Sequence, residues 1–329
     1  MTAAKRKRPW AVYAVWGLLI VVLAAWTMWW FTLKDIATQR IEAWAAAQRA
    51  AGAQVSYSSV AASGFPLRLT LTFEAARFIA PGGGWSLSTP RAALHINPSD
   101  LSLFIVEPRD TVSWTTRGAQ HTFTPRESAI SVHLANDRPD RVILEGKNIA
   151  VTRNGAPDMT IGSIVAGIRP DPRAAGDGQL SLDAQAIDFI KLPQGFEALG
   201  GQMEALNARV VLEKGAVLAA PSHDRLAAWK EAMGAARVEG LHVVWGPASL
   251  TSTGRFTIDD QRRIEGDLAL TLEKPEKTFA ALTKSPTVSA QTAAVYRALG
   301  ALGLTPVLSF RDGEKRLYGQ RIGTVEPIR

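Results

Sequence analysis

The sequence predicts an α+β protein in which an N-terminal transmembrane helix and a helical stalk precede a large curved antiparallel β-sheet with a few covering helices. Three observations support this fold class. Residues 9–33 contain no charge, apolar and polar residues alternate in many short segments after residue 53, and helix-like apolar stripes occur late in the chain. Strands that are separated by short polar turns form antiparallel sheet, whereas parallel strands need long crossovers.

The composition is that of a globular protein without cysteine chemistry. The 329 residues include 20% charged residues, 8% aromatic residues and no cysteine. The first two proportions exclude wholesale disorder. The lack of cysteine excludes disulfides, thiolate metal ligands and cysteine nucleophiles. The length is sufficient for one large domain or two ordinary ones.

The net charge of +7 is concentrated at the N-terminus. Lys5, Arg6, Lys7 and Arg8 are four of the 37 basic residues, so the remaining 33 face 30 acidic residues, a balance of +3. Those remaining basic residues are scattered, whereas phosphate binding needs them on one face or one helix. We therefore expect no nucleic-acid partner.

The charge-free run from 9 to 33 is long enough to cross a membrane. A helix of that length measures about 37 Å, against a hydrocarbon core of about 30 Å. Trp10 lies at one end and Trp26, Trp29 and Trp30 at the other, which is typical of interfacial aromatic belts. The alternatives are a buried core helix and a cleaved signal peptide, but the bulky Trp26 fits a cleavage site poorly. We predict an uncleaved signal anchor.

The charge distribution also predicts the orientation of the chain. Basic residues precede the span, so residues 1–8 are expected in the cytoplasm. Residues 34–52 then form a helical stalk, and residues 53–329 form a β-rich periplasmic domain of a single-pass protein in a bacterial inner membrane. A cluster of Pro, Gly and Gln near 193–201 allows a subdivision of that domain.

Period-two alternation marks the strands. The first apolar face contains Leu67, Leu69, Leu71 and Phe73. Further strands are predicted over 85–97, 101–106, 129–134, 141–153, 159–168, 179–192, 206–212, 238–245, 254–259 and 264–273. Asp312 and Gly313 predict a hairpin turn between two short final strands.

Three helices are predicted late in the chain. Ser222 is the expected cap of a helix with Leu226, Trp229 and Met233 on one face. Pro275 begins a short helix with Phe279 inward, and Pro286 begins a longer one that ends before Gly303.

No residue pattern identifies a reaction, a metal site or a cofactor. The five histidines lack the spacings that place two imidazoles on one metal, and His95 and His133 are expected on the solvated faces of their strands. We predict no catalytic, cofactor-binding or metal-ligating residues, and hence a protein that is not an enzyme.

One motif stands out at the start of the first clean strand. In Ser-Gly-Phe-Pro-Leu-Arg (63–68), Gly64 permits an unusual backbone angle, Phe65 can plug the end of the sheet, and Pro66 prevents ladder donation. Leu67 begins the apolar face. Arg68 faces away from it, towards solvent or, alternatively, lipid headgroups.

This motif, together with residues 245–250, 254–259 and 265–270 and the Phe-Arg-Asp-Gly segment 310–313, resembles the bacterial envelope proteins known as domain of unknown function 2125. More distantly, the chain is similar to AsmA-like proteins. The resemblance implies a periplasm-facing inner-membrane protein without catalytic residues. In AsmA-like relatives a curved sheet presents an apolar groove, and the group is associated with lipid movement or envelope homeostasis.

Three functions follow from these expectations. The first is a non-enzymatic protein that binds lipid or another apolar ligand in a groove of its sheet. The second is a scaffold or assembly factor that docks envelope membrane proteins. The third is an envelope hydrolase, which needs convergent carboxylates or a hydroxyl–imidazole pair in a pocket. Whether the apolar sheet face is open or covered distinguishes the first from an ordinary core.

Overall fold

The computed structural model describes residues 10–116, 118–136, 138–193, 196–219, 224–285, 288–302, 307–317 and 319–328. In these residues one long N-terminal helix precedes a single sheet of eighteen strands, with a few further helices. Every strand pairing is antiparallel. The α+β fold class is therefore confirmed.

The elements are numbered in chain order. The helices are α1 (Trp10–Ala50), α2 (Gly215–Ala219), α3 (Arg225–Glu231), α4 (Pro275–Leu282) and α5 (Ala290–Leu302). The first nine strands are β1 (Gln54–Ser56), β2 (Ser59–Ser63), β3 (Leu69–Ile79), β4 (Trp85–Asn97), β5 (Asp100–Pro108), β6 (Val112–Thr116), β7 (Ala119–Thr124), β8 (Glu127–Ala135) and β9 (Arg138–Arg153). The others are β10 (Ala156–Pro170), β11 (Gly178–Phe189), β12 (Gln202–Glu213), β13 (Ala235–Trp245), β14 (Ala248–Ile258), β15 (Ile264–Leu272), β16 (Val307–Arg311), β17 (Glu314–Leu317) and β18 (Gln320–Thr324).

The sheet follows chain order with one fork. Strand β3 pairs with β1, β2 and β4. One part of β4 then pairs with β5 and another part with β6. The two branches, β5–β8 and β6–β7, meet again on β9. From β9 to β18 each strand pairs with the next along the chain.

Helix α1 is exposed in its first part and packed against the sheet in its second. From 13 to 25 its side chains are exposed. Among the described residues, α1 is the one helix that is long and apolar enough to cross a membrane. From Trp30 onwards it contributes to a core with Leu69, Leu71 and Ile96. Ala45 is fully buried. The segment predicted as a stalk thus lies on the sheet, because its small side chains permit close contact.

Several local predictions are confirmed. Strand β4 has the predicted bounds, and α4 begins at Pro275 with Phe279 buried. Asp312 and Gly313 have φ of 56° and 76°, which are the values of a two-residue hairpin turn. The predicted cap Ser222 and the predicted helix start Pro286 lie outside the described residues.

Other local predictions are wrong. Leu67 is 82% exposed in the loop before β3, because that strand begins at Leu69. Met233 lies beyond the end of α3 and is also exposed, since the chain turns there with a positive φ of 56°. Strands β6 and β7 were not predicted, because their polar residues obscure the alternation. The subdivision near 193–201 stays a prediction; its described residues lie in the connection between β11 and β12, which are paired neighbours in the same sheet.

One face of the sheet carries an ion-pair network on β10–β14 and their connections. Its members are Asp171, Arg173, Glu239, Arg237, Glu213 and Arg255. Arg173 donates two hydrogen bonds to the carboxylate of Asp171, at 3.0 and 2.8 Å, and these lower the pKa of Asp171 from 3.8 to about 2. The Arg255 guanidinium likewise lowers the pKa of Glu213.

We expect Asp171 to make stability pH-dependent in acid. Because its pKa is lower in the folded chain, the ionised carboxylate stabilises the fold above about pH 4, and this contribution is lost as the pH falls towards 2. Asp171→Asn should reduce the free energy of unfolding at pH 7, and the deficit should shrink between about pH 4 and 2. Denaturant titrations at several pH values measure this, with Asp110→Asn at an exposed site as the control. An equal deficit at every pH would contradict the assignment.

Candidate functional site

Three tryptophans of α1 bind two turns at one end of the sheet. Their indole N–H groups donate to backbone carbonyl oxygens: Trp26 to Pro66 at 2.9 Å, Trp29 to Pro98 at 3.2 Å, and Trp30 to Arg68 at 3.1 Å. Their spacing of three and four residues places the three rings on one side of the helix. These hydrogen bonds therefore fix the position of the two turns along the axis of α1.

This arrangement changes the interpretation of the predicted aromatic belt. Trp30 is only 5% exposed and packs with Leu33 in the core, so it belongs to the body of the protein. Trp26 is half-buried, and Trp29 is 38% exposed. Trp10 lies in the first turn of α1, whereas Lys5, Arg6, Lys7 and Arg8 lie outside the described residues.

The loop between β2 and β3 is the conspicuous Gly64–Arg68 motif. Gly64 has a φ of +94°, as its predicted role requires, and a Cβ there would come within 2.7 Å of the Arg68 carbonyl oxygen. The Arg68 N–H donates to the Gly64 carbonyl at 3.1 Å, which closes the loop. Only glycine fits this tight turn without strain.

The side chains of this loop are largely exposed. Phe65 contacts Trp30 edge-on with ring centroids 5.6 Å apart, yet it remains 51% exposed. It therefore covers the end of the sheet only in part. Leu67 projects further, and Arg68 is exposed as predicted. An open groove of about 730 Å³ lies between the loop and α1, with Lys34 at its lining.

Continuous apolar rows cross the face of the sheet on which α1 lies. In the first row, Leu69 pairs with Ile96, Ile96 with Phe104 and Phe104 with Val132. The same row continues strand by strand to Leu317 on β17. A parallel row runs beside it from Leu71. The opposite face carries the ion-pair network and is mostly polar, with a few apolar side chains such as Val165 and Val211.

Helices cover the two ends of these rows. Helix α1 covers Leu69 and Leu71, whereas α4 and α5 form a buried cluster with Leu317. Twelve apolar side chains on β8–β13 lie between them, and we name them the open strip. They are Ile130, Val132, Val142, Leu144, Ala166, Ile168, Leu180, Leu182, Ala208, Val210, Val238 and Leu241.

Every side chain of the open strip is partly exposed. Leu144 is 37% and Ile168 is 44% exposed, and the other ten are half-buried. In the part of the chain that the structure describes, none of the twelve belongs to the three buried clusters under the helices. Five inter-strand steps of about 4.8 Å give the strip a width of about 24 Å. The two rows are thus covered at their ends and partly exposed in between. The row beside them, with Ala184 and Leu206, instead packs against Ala281 and Leu282 of α4.

A second exposed apolar surface surrounds the far end of α1, and we name it the aromatic patch. Trp44 stacks on Phe78 at 6.5 Å, and Phe78 lies 5.2 Å from Trp85. Leu87 pairs with Trp114 across β4 and β6. The exposed fractions of Trp44, Trp85, Leu87 and Trp114 are 52%, 43%, 42% and 40%.

Thr70, His95 and Glu107 lie at distances that resemble those of a catalytic relay. The hydroxyl of Thr70 and Nδ1 of His95 are 2.9 Å apart, and Nε2 of His95 lies 3.0 Å from the Glu107 carboxylate. His95 is 8% exposed, so the prediction of a solvated histidine is wrong; β3 and β5 enclose it. Thr70 is 3% exposed, and a hydroxyl so deep in the sheet is inaccessible to a substrate. Nε2 of His95 forms no hydrogen bond among the described residues, so the geometry supports a structural Thr70–His95 contact and no relay to Glu107. His133 instead lies 2.6 Å from Asp140 at the surface.

A charged cleft lies at the fork of the sheet. It measures about 570 Å³, and its lining includes Glu107, Glu127, Glu145 and Lys147. Glu127 accepts a hydrogen bond from Lys147 at 3.0 Å, so one of the three carboxylates in the cleft is paired with a cation. Over the described ranges, no group of three or more His, Asp and Glu side chains is placed to hold a metal ion.

These features define a class of protein: a long apolar helix fastened to one large antiparallel sheet with a partly open apolar face. Residues 30–326 match the family described as "Uncharacterized protein conserved in bacteria (DUF2125)". The match covers most of the chain, and the protein belongs to that family. The matched segment begins at Trp30, the first residue of α1 that belongs to the buried core. No curated protein and no solved structure matches the chain significantly.

We expect the tryptophan contacts to contribute strongly to stability. Trp30→Phe leaves the Arg68 carbonyl without its donor and should cost about 1–3 kcal/mol. Trp30→Ala also removes the core ring and should cost about 3–5 kcal/mol. Denaturant titration of the full chain measures both. Trp16→Ala, at a site 59% exposed on the same helix, is the control and should change stability by less than about 0.5 kcal/mol. Equal effects at 16 and 30 would refute this role.

Proposed function

We propose that this protein is a membrane-anchored, non-enzymatic binder of lipid or another apolar ligand, which acts in the bacterial cell envelope. The observation that carries the proposal is the open strip of partly exposed apolar side chains on β8–β13. Soluble surfaces rarely expose contiguous apolar areas of this extent without a binding role. A ligand that covered the strip would remove that area from water, at about 25 cal/mol per Å².

The dimensions of the strip suit an acyl chain. One leaflet of a bilayer holds hydrocarbon about 15 Å thick, half of a core of about 30 Å. The strip is about 24 Å wide, so an extended acyl chain fits along it. The two helical covers at its ends leave the middle accessible.

The exposed first part of α1 supports the anchor. Its side chains from 13 to 25 are all exposed, as expected for a segment that lies in lipid. Lys5–Arg8 precede it, which favours a cytoplasmic N-terminus and a periplasmic sheet. On this basis we infer a single-pass protein of the inner membrane.

A matched pair of substitutions on β10 tests ligand binding. Ile168 and Val165 are 44% and 45% exposed on opposite faces of the same strand, with Ile168 in the strip and Val165 between Glu145 and Asp183. We expect Ile168→Gln to weaken binding roughly tenfold, because it places an amide in the apolar site. Val165→Gln should leave binding unchanged. Lipids extracted from each purified full-length variant, and titration with an apolar fluorophore, measure this.

The pair also controls for lipid that adheres to α1, since both variants retain that helix. Equal lipid content and equal fluorophore affinity in the two variants would count against the strip as the binding site.

A scaffold or assembly factor is the second candidate function, and the aromatic patch favours it. Exposed tryptophans are enriched at protein interfaces. A photo-cross-linking residue at Leu87 tests this, with Val165 as a control of similar exposure. We expect Leu87 to cross-link to one defined envelope protein and Val165 to none. Adducts with lipid alone, or none at either site, would contradict docking at the patch. A hydrolase function has the least support, since the Thr70 hydroxyl is inaccessible.

A further inference from the structure

We propose that the Gly64–Arg68 loop inserts Phe65 and Leu67 into the bilayer beside α1, so that the sheet stands directly on the membrane surface. The inference rests on the proposed membrane anchor and adds a second membrane contact to it. Its occupant is the lipid bilayer itself.

The part of α1 that precedes its first contact with the sheet is slightly too short to cross the hydrocarbon core. Crossing a hydrocarbon core of about 30 Å takes about 20 residues. Counted from Pro9, the first residue after the basic cluster, that span reaches Met28. The contacts of α1 with the sheet already begin at Trp26. The sheet therefore meets the helix before the helix can leave the hydrocarbon.

Two hydrogen bonds join the Gly64–Arg68 loop to α1. Because the Trp26 indole donates to the Pro66 carbonyl and the Trp30 indole to the Arg68 carbonyl, the loop lies at the same height as residues 26–30. If these residues lie at the edge of the hydrocarbon, the loop does too. The helix length and the tryptophan contacts thus fix the depth of the loop.

The tip of the loop is apolar, exposed and uncharged. Phe65 and Leu67 are 51% and 82% exposed, and no charge lies between Ser63 and Leu67. Two cations lie near these side chains: Arg68 follows Leu67 directly, and Lys34 of α1 lines the same groove as Phe65. Lys34 is about one helical turn farther from the apolar segment of α1 than Trp30 is. Apolar side chains at the tip and cations near them match hydrocarbon and anionic headgroups respectively.

The neighbouring turn limits the depth of insertion. Asp100 is exposed and accepts hydrogen bonds from the Ser102 hydroxyl at 2.6 Å and the Ser102 N–H at 3.0 Å. A carboxylate of this kind stays in the headgroup region, because burial of a charge in hydrocarbon is costly. Insertion is therefore confined to the Phe65 and Leu67 side chains, and the β4–β5 turn rests at the surface.

The lack of cysteine in the chain makes the test direct. Single cysteines replace Leu67, Ala51 or Leu19 in the full-length protein, each labelled with an environment-sensitive fluorophore and reconstituted into phosphatidylethanolamine–phosphatidylglycerol nanodiscs. Ala51 is an exposed residue just past the far end of α1, and Leu19 lies within the apolar part of the helix. Quenching by a lipid-attached quencher is compared with quenching by aqueous iodide.

We expect the Leu67→Cys label to emit at shorter wavelength than the Ala51→Cys label, to lose most of its emission to the lipid-attached quencher and little to iodide. A label at 67 that behaves like the label at 51, while the label at 19 is lipid-quenched, would overturn loop insertion and leave the anchor intact. If neither 67 nor 19 is lipid-quenched, both insertion and the anchor are wrong. Leu67 is too exposed for its replacement to disturb the core, and far-UV circular dichroism checks this.

Discussion

A sheet with one apolar face must find a cover for that face, and this constraint organises the whole molecule. Eighteen strands place apolar rows on one side and ion-paired residues on the other. Helix α1 covers one end of the rows, and α4 and α5 cover the other. Among the residues described, none of the buried clusters under the helices includes the twelve side chains of the open strip on β8–β13. The open strip is what remains, and lipid or another apolar ligand is the cover that we propose for it.

Helix α1 has two roles that meet at Trp26. Before that residue its side chains are exposed, and after it Trp30, Leu33 and Ala37 are buried against the sheet. An apolar stretch of sequence looks the same whether its surroundings are lipid or protein core, since both environments favour the same side chains. The indole N–H groups mark the change, because each finds a carbonyl oxygen on a turn of the sheet.

Much of the sheet was predictable because alternation is a local property. Strand β4 and the Asp312–Gly313 turn have the predicted positions, whereas β6 and β7, with polar residues on both faces, were missed. The loop at 64–68 was recognised from glycine and proline chemistry. The exposure of Leu67 was not predictable, since the strand begins two residues later than the alternation suggests. His95 was misplaced because Thr70 and Glu107, which enclose it, are distant in sequence.

The sequence alone determined the class of the protein: a basic terminus, an apolar helix and an antiparallel sheet with one apolar face, all encoded by local charge and periodicity. Only the tertiary structure decided how that helix meets the sheet and which part of the apolar face stays open. Both depend on contacts between segments far apart in the chain, such as Trp26 with Pro66 and Val132 with Phe104. Periodicity specifies which side of a strand is apolar, but packing between distant elements decides what covers it.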